Sequence, residues 1–411
     1  MTLQATPGCP YRVDPTGAHI QSEASILRTF GPAARVMLPG DIPAWSVTDP
    51  SLIRRLLVNP DVSKDAAQHW AAYIAGQIPA DWPQRIWVDV RNALTASGKE
   101  HRRLRRPLAR AFSPRRVRSL VPRIEAITAQ LLDGLEAVSG EVIDLRARFA
   151  WRLPLLVINE LFQTPDHLHH DFRDTAGALF ATDLSPAAAL TAWERLYELI
   201  AALITHKAQH PADDLSSDLI AARDAGDLTD RELADSFVLI ISAGHETTVN
   251  LLDHAVVNLT DHRDQLALVT GGQVSWDAVV EETLRHQAPV ANLILRFAAT
   301  DVVDEATGVR FAQGDAIVIS YAAANRDPHV HGPDANAFDV QRPTSHDHLA
   351  FGFGPHLCVG AELARLEARI GLQRLFERFP DLHLAVDPDQ LQPLPSYISN
   401  GHQRLPVRLG P

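Results

Sequence analysis

Phe351-Gly352-Phe353-Gly354-Pro355-His356-Leu357-Cys358-Val359-Gly360-Ala361 sets one cysteine at the end of a glycine-punctuated loop. Just beyond it, Leu363, Leu366, Ile370, Leu372 and Leu375 recur at helical spacing and predict a helix over Ala361–Phe379. A thiol at a helix N-terminus meets the positive end of the dipole and nearby N–H donors, and both favour thiolate. The glycines let the backbone pass close to something flat or bulky with no Cβ in the way. A lone cysteine is more often a small buried hydrophobe. A phosphate-binding cysteine loop would want arginine six residues on, where Ala364 stands, with Arg365 one residue too late. A dinucleotide fingerprint fails because Leu357 takes the place of its last glycine.

A thiolate offered to a bulky partner suits a haem iron. The stretch resembles the haem-binding signature of the cytochromes P450, F-G-x-G-x-[HR]-x-C-x-G, at Phe351, Gly352, Gly354, His356, Cys358 and Gly360. Val359 departs mildly, since the family often has Leu, Ile or Ala there. The resemblance implies haem b with Cys358 as its proximal thiolate. It implies that Phe351 and Gly352 border the cofactor, that His356 bonds a propionate, and that Gly360 lets the next helix lie against the porphyrin.

The chain has 411 residues, 46% hydrophobic and 21% charged, an ordinary globular balance. Length alone suggests two or three domains. The resemblance implies one, spanning 1–411: a mainly α fold with small β-sheets. Its smaller β-rich lobe would come from about 1–60, 290–325 and 380–411. Cys9 and Cys358 make no disulfide framework. No apolar run approaches a membrane span, and the first residues lack the basic start and apolar core of a signal peptide. The expectation is a cytoplasmic protein with no membrane partner. A net charge of −12 argues against nucleic acid. Lys99, Arg102, Arg103, Arg105, Arg106, Arg110, Arg115, Arg116 and Arg118 nevertheless crowd one region. They read as a solvated helix face or as a docking patch for an acidic partner.

Asp41–Thr48 reads as a strand and Asp49–Val58 as a helix. Trp70, Tyr73, Trp82 and Trp87 show little periodicity and read equally as a pocket wall or as core. Glu100–Phe112 reads as a basic helix interrupted by Pro107, with His101 and Arg105 on one face. It resembles the family's H-x-x-x-R helix, which implies that both residues reach the haem propionates while other arginines face an electron donor. Helices are expected over Pro122–Glu136, Leu145–Phe162, Phe172–Phe180 and Ala187–Lys207. The linker with Thr182, Asp183, Ser185 and Pro186 corresponds to the family's mobile roof. His167, His169 and His170 invite a metal reading that no cysteine or second histidine cluster supports.

Thr229 and Glu232 form a capping box ahead of a helix running to about Leu259, roughly 45 Å long. Its apolar run Phe237–Ile241 gives way to Ala243-Gly244-His245-Glu246-Thr247-Thr248. Glycine and threonine weaken a helix, so the spacing predicts a kink or a local opening. The break resembles the family's [AG]-G-x-[DE]-T-[TS] motif. That implies Glu246 and Thr247 as the acid–alcohol pair supplying protons during oxygen activation, with Ala243 and Gly244 over the haem face. His245 occupies the variable position.

Glu282 and Arg285 lie three apart on a helix beginning near Trp276. The resemblance makes them, with Arg342, structural supports of the haem pocket, and it places Arg296 on a propionate. Val309–Phe311 and Ala316–Ile319 around Gln313-Gly314-Asp315 give a hairpin signal. Tyr397–Gly401 reads as a turn dipping into the pocket. Its candidate lining is Trp87, Leu179, Ile240, Ala243, Val290, Ala291, Asn292, Leu293, Ile294 and Ile398. That mostly apolar set suits a steroid, macrolide or terpenoid.

The implied function is a monooxygenase taking electrons from a ferredoxin and ferredoxin reductase, using O2 to hydroxylate or epoxidise a small molecule. The aromatic content near 70–90 also suits a tryptophan-containing cyclodipeptide, for radical C–C or C–N coupling. A non-enzymatic haem-thiolate sensor would not need Glu246 and Thr247, and thiolate donation favours O–O cleavage over reversible binding. A peroxide-driven variant would typically lack that pair.

Overall fold

A computed structural model describes residues 10–138, 140–179 and 186–410. Its axis is the long helix Asp230–Asp261. The Thr229 hydroxyl accepts the Glu232 N–H at 3.2 Å and the Glu232 carboxylate accepts the Thr229 N–H at 2.8 Å, which completes the capping box. Phe237, Val249, Ala255 and Leu259 on this helix are fully buried. Around it pack the helices Arg152–Phe162, Pro186–Gln209, Trp276–His286 and Ala361–Arg378. The helix is continuous through Ala243–Thr248. Thr247 donates to the Ala243 carbonyl at 2.6 Å and Thr248 to that of Gly244 at 3.2 Å. The hydroxyls bond back onto their own helix, which is compatible with helical backbone.

The basic helix Gly98–Ala111 runs through Pro107, which does not interrupt it as expected. Burial of Leu104, Pro107, Leu108 and Ala111 along one face holds the helix together despite the missing donor. The residues of the two roof helices appear as Asp166–Leu179 and Pro186–Gln209. Phe180, Thr182, Asp183, Ser185 and Cys9 lie outside the described residues.

The main sheet runs β1(Tyr11–Arg12), β2(Ala33–Leu38), β3(Ile42–Val47), β9(Ala316–Ser320), β6(Asn292–Ala298), β4(Val62–Ser63). β2 and β3 form an antiparallel hairpin closing at Leu38↔Ile42, and β3 pairs parallel to β9 with Trp45 opposite Ile317. Under this sheet Trp70 stacks on Phe297 at 5.2 Å and meets Trp82 edge-on at 5.8 Å. Trp70 and Trp82 are therefore core, while Trp87 is half-buried at its edge.

One sequence expectation changes here. β8(Arg310–Phe311) pairs with β7(Val302–Val303), not with β9. Gly314 at φ 86° does turn the chain, but its N–H bonds to Ala298, and the turn delivers β9 into a different sheet. The last strands, β10(His383–Leu384) and β11(Pro406–Arg408), pair with each other and β11 with β5(Ile143–Asp144). Leu382, Leu405, Val407 and Leu409 pack into the helical core, while Tyr397 packs with the main sheet. Among the described residues no helix is long and apolar enough to cross a membrane.

Candidate active site

Gly352 and Gly354 have φ of 75° and 72°, a left-handed conformation that side chains resist. A Cβ on Gly354 would lie 2.7 Å from Val58 Cγ1 and 3.2 Å from the Leu57 carbonyl, so the loop presses against the helix Pro50–Val58. The Cys358 N–H bonds to the Phe351 carbonyl at 2.9 Å and closes the loop beneath the sulfur. The thiol is exposed, yet protein atoms crowd it on its other sides. That crowding raises its pKa, and the Gly360 N–H, Arg105 and Arg365 oppose the rise without cancelling it. A thiolate here therefore calls for one more positive partner, as a metal ion would be.

Beside the sulfur lies a cationic cradle drawn from four parts of the chain. His101 and Arg105 come from the basic helix, Arg296 from β6, His356 from the loop and Lys64 from the end of β4. The His101 and His356 rings are 3.9 Å apart. Arg105 donates to the Leu357 carbonyl at 2.5 Å, and Lys64 to that of Ile294 at 3.3 Å. Burial first, then mutual repulsion, lowers His101 to about 4, and burial lowers Arg296 to about 10. His356 and Lys64 are pushed well below their usual values by the same two causes. No carboxylate among the described residues pairs with any of the five, and His101 Nε2 and Arg296 Nε have no hydrogen-bond partner. Basic groups enclosed without an anion are costly to charge, so this donor set fits an anionic group such as the haem carboxylates. Sequence reasoning missed Lys64. Its signal is a lysine just past the short strand Val62–Ser63, which pairs with β6 near Arg296.

On the long helix, Ala243 and Gly244 are exposed although the helix centre is otherwise mostly enclosed. Glu246 is raised above the usual carboxylate range by burial, with Arg146 and the Ser399 hydroxyl opposing. Three and four residues beyond Asn250 on this helix stand Asp253 and His254. Asp253 accepts Arg146 at 3.0 Å, the His402 N–H at 2.8 Å and the His402 ring at 3.0 Å, and His254 meets the Asn400 carbonyl at 3.2 Å. This buried network fastens the 396–402 turn to the long helix. Ser399, Arg146 and Asp253 were not singled out in the sequence, although Glu246 and Asp253 stand two helical turns apart on one face. His245 donates to the Trp151 carbonyl at 2.8 Å and packs edge-on against that ring.

Residues 276–398 match the family model described as Cytochrome P450. Over 98% of both chains the sequence is 40% identical to 2-hydroxy-5-methyl-1-naphthoate 7-hydroxylase of Streptomyces carzinostaticus. The chain is a cytochrome P450. It is also 36% identical to the P450 monooxygenase PikC of Streptomyces venezuelae, over 93% of this chain and 89% of that one. Among solved structures, CYP154A1 of Streptomyces coelicolor A3(2) superposes with a TM-score of 0.90 at 48% identity, covering 97% of this chain and all of that one. Testosterone-bound CYP154C4 of Streptomyces sp. ATCC 11861 gives 0.92 at 40% identity, with 98% of each chain covered. This P450 is a haem-thiolate monooxygenase with the mainly helical fold of its family.

The expected pocket lining of the P450 divides. Ile240 and Ile294 are buried, and Val290, Leu293, Trp87 and Ile398 are half-buried. Ala291 is fully buried among Ile20, Ala24, Ala322 and Ala323, and the Asn292 amide donates to the Tyr397 carbonyl at 2.8 Å. Both are packed into the framework around β6. The side chain of Leu179 lies outside those described. The Ile398 carbonyl accepts the Ala291 N–H at 2.8 Å and Ser399 bridges Val290, which holds the turn against the chain entering β6.

Glu282 and Arg285 meet in two hydrogen bonds of 2.7 and 2.8 Å with no solvent exposure. Arg285 also binds the carbonyls of Asn325, Ala335 and Ala337, and Arg342 reaches Glu282 at 3.4 Å. This cluster gathers the chain that precedes the cysteine loop, far more by hydrogen bonds to backbone than by charge alone. The basic patch of the P450 is thinner than its sequence suggests. Arg103 is bound by Glu100 and Glu232, Arg106 by Asp227, and Arg116 by Asp213 and Asp218.

Proposed function

We propose that this P450 hydroxylates a bulky, largely apolar molecule of the steroid or secondary-metabolite kind, using electrons from a ferredoxin and its reductase. One observation carries the reading: an open cysteine thiol beside five basic side chains, Lys64, His101 and Arg296 buried and Arg105 and His356 half-buried, that pair with no carboxylate among the described residues. Cys358 would ligate the iron of haem b, and Lys64, His101, Arg105, Arg296 and His356 would hold its carboxylates. When bound, haem supplies the iron at which O2 is activated.

The remaining steps belong to side chains. Burial keeps Glu246 protonated to higher pH than an ordinary carboxyl, so it is poised to give up a proton. The Ser399 hydroxyl stands beside it and can return one. Thr247 spends its own hydrogen on the Ala243 carbonyl, which leaves its oxygen open to accept a proton-bearing partner. Exposed Ala243 and Gly244 keep that side of the helix free of bulk. The apolar wall of Trp87, Ile240, Val290, Leu293, Ile294 and Ile398 offers few polar anchors, in keeping with relatives named for a naphthoate and a structure with testosterone. The coupling alternative rested on the aromatic segment, and Trp70 and Trp82 are used up as core.

For the electron donor, Arg102, Arg110, Arg115 and Arg118 are exposed and have no ion pair among the described residues. Phe353 and Leu357 of the cysteine loop are exposed too, with Arg54 over the Phe353 ring and Arg105 bonded to the Leu357 carbonyl, offering an acidic ferredoxin both charge and apolar contact.

The test is an optical titration of the haem protein with steroids, macrolides and tryptophan cyclodipeptides. A low-to-high-spin shift with steroids or macrolides is expected, and a shift with cyclodipeptides alone overturns the substrate reading. Cys358→Ser should abolish the thiolate-type spectrum of the reduced carbonyl complex. Its survival would overturn the ligand assignment.

A further inference from the structure

Glu281 precedes the Glu282 of the buried cluster, but its carboxylate points into a different set of partners. Arg365 contacts it twice, Nε to Oε1 at 2.5 Å and Nη2 to Oε2 at 3.2 Å. His348 contacts Oε2 at 3.0 Å. The Ala350 N–H donates to His348 Nδ1 at 3.1 Å, so Nε2 carries the hydrogen and donates to Glu281. Glu281 and the His348 side chain are almost wholly buried, and His346 approaches Glu281 at 3.4 Å from the solvent side.

These partners come from both flanks of the cysteine loop. His348 lies three residues before Phe351, and Arg365 lies seven after Cys358, on the following helix. A helical side chain leans toward the N-terminus, so Arg365 reaches back along the first turn of its helix toward the loop. Its guanidinium lies over the Phe351 ring, 4.5 Å from the centroid. Phe351 in turn accepts the Cys358 N–H. A single carboxylate thus ties down the entrance and exit of the loop and fixes a permanent positive charge beside the residue that closes it.

Resting on the assignment of Cys358 as iron ligand, we propose that Arg365, fixed by Glu281 and His348, is a positioning residue that sets the charge environment of the Cys358 sulfur and thereby the reduction potential of the iron. One feature separates this from a plain tie between helices. The planar guanidinium lies over the ring of the residue whose carbonyl takes the Cys358 N–H, which a point charge would not do.

The experiment measures the reduction potential and the carbonyl spectrum of the holoenzyme in Arg365→Gln and Arg365→Lys. Losing the charge favours the ferric state. Arg365→Gln should weaken the reduction equilibrium by about three- to tenfold, up to about 59 mV downward for one electron. Arg365→Lys keeps the charge and should hold that equilibrium within about twofold. Without the planar fork it should lose the thiolate band several-fold sooner in urea, while helix content is still intact. An unchanged potential in Arg365→Gln overturns the proposal. Should that variant not fold, an Arg365→Lys protein matching wild type in band loss overturns it instead. Absence of a thiolate band in the wild type would fault the ligand assignment, a separate outcome.

Discussion

The Arg103 guanidinium and the Glu232 carboxylate meet through two hydrogen bonds, Nη2 to Oε1 at 2.6 Å and Nη1 to Oε2 at 3.0 Å. Glu232 is also the third residue of the long helix's capping box, so this pair joins the basic helix to the start of the helix that carries Glu246. Arg103→Glu should therefore cost about 1–2 kcal/mol in urea unfolding, through the damaged cap and the repelled carboxylates. Arg110→Glu with Arg115→Glu should leave unfolding unchanged and slow reduction by ferredoxin. Full stability in Arg103→Glu would show that the pair does not anchor the helix.

Lys64 is a buried ammonium with one carbonyl contact and cationic neighbours. Lys64→Met should stabilise the haem-free protein, because it removes an unpaired buried charge. The same change should speed haem transfer to an acceptor protein by about tenfold, or ~1.4 kcal/mol. Unaltered haem transfer would remove Lys64 from the cradle.

Thr247→Ala and Glu246→Gln should each slow product formation on the order of 10–100-fold and divert electrons to peroxide. Neither change should alter the substrate-induced spin shift. Stoichiometry of oxygen consumed to product formed checks this, and normal coupling in both variants would exclude the pair from proton delivery.

Gly354 and Gly360 should respond differently to alanine. Gly354→Ala meets both a left-handed φ and Val58, at a cost of about 1–3 kcal/mol. A Cβ on Gly360 would touch only Phe112, at an ordinary 3.8 Å, with φ −89°. Gly360→Ala should keep haem-free stability, so any loss of haem reports directly on the cofactor face. Thermal melts with and without haem separate the two.

Stability should fall in acid between about pH 4.5 and 2. Burial acting alone would raise Glu281, but hydrogen bonds from His348 and Arg365 bring it down from 4.5 to about 2. Asp253 behaves likewise under His402 and Arg146, reaching about 2. A depressed folded-state pKa adds stability above the unfolded value and loses it as pH falls through the folded one. For Glu281 this amounts to on the order of 3 kcal/mol. Urea melts across this range should show the slope, and Glu281→Gln should flatten part of it.

Much of the fold was legible because its signals are local. Thr229 and Glu232 announce a helix start through two hydrogen bonds three residues apart, and Gly354 announces a turn through its own φ. The hairpin expected around Gly314 was misread for the opposite reason. A turn is local, but the strand that receives β9 comes from elsewhere, and β3 and β6 outcompeted β8. Trp70 and Trp82 show the same limit, since aromatic content does not tell a pocket wall from a core.

By itself the sequence determined the cysteine loop, the acid–alcohol pair on one long helix and the family to which they point, because each is a pattern of near neighbours. Tertiary structure alone decided which charges are available. It locked Arg103, Arg106 and Arg116 into ion pairs, buried Lys64 beside Arg296, and set Ser399 against Glu246 and Arg365 over Phe351. Electrostatic and hydrogen-bond partners are chosen by distance in space, and no spacing along the chain encodes that distance.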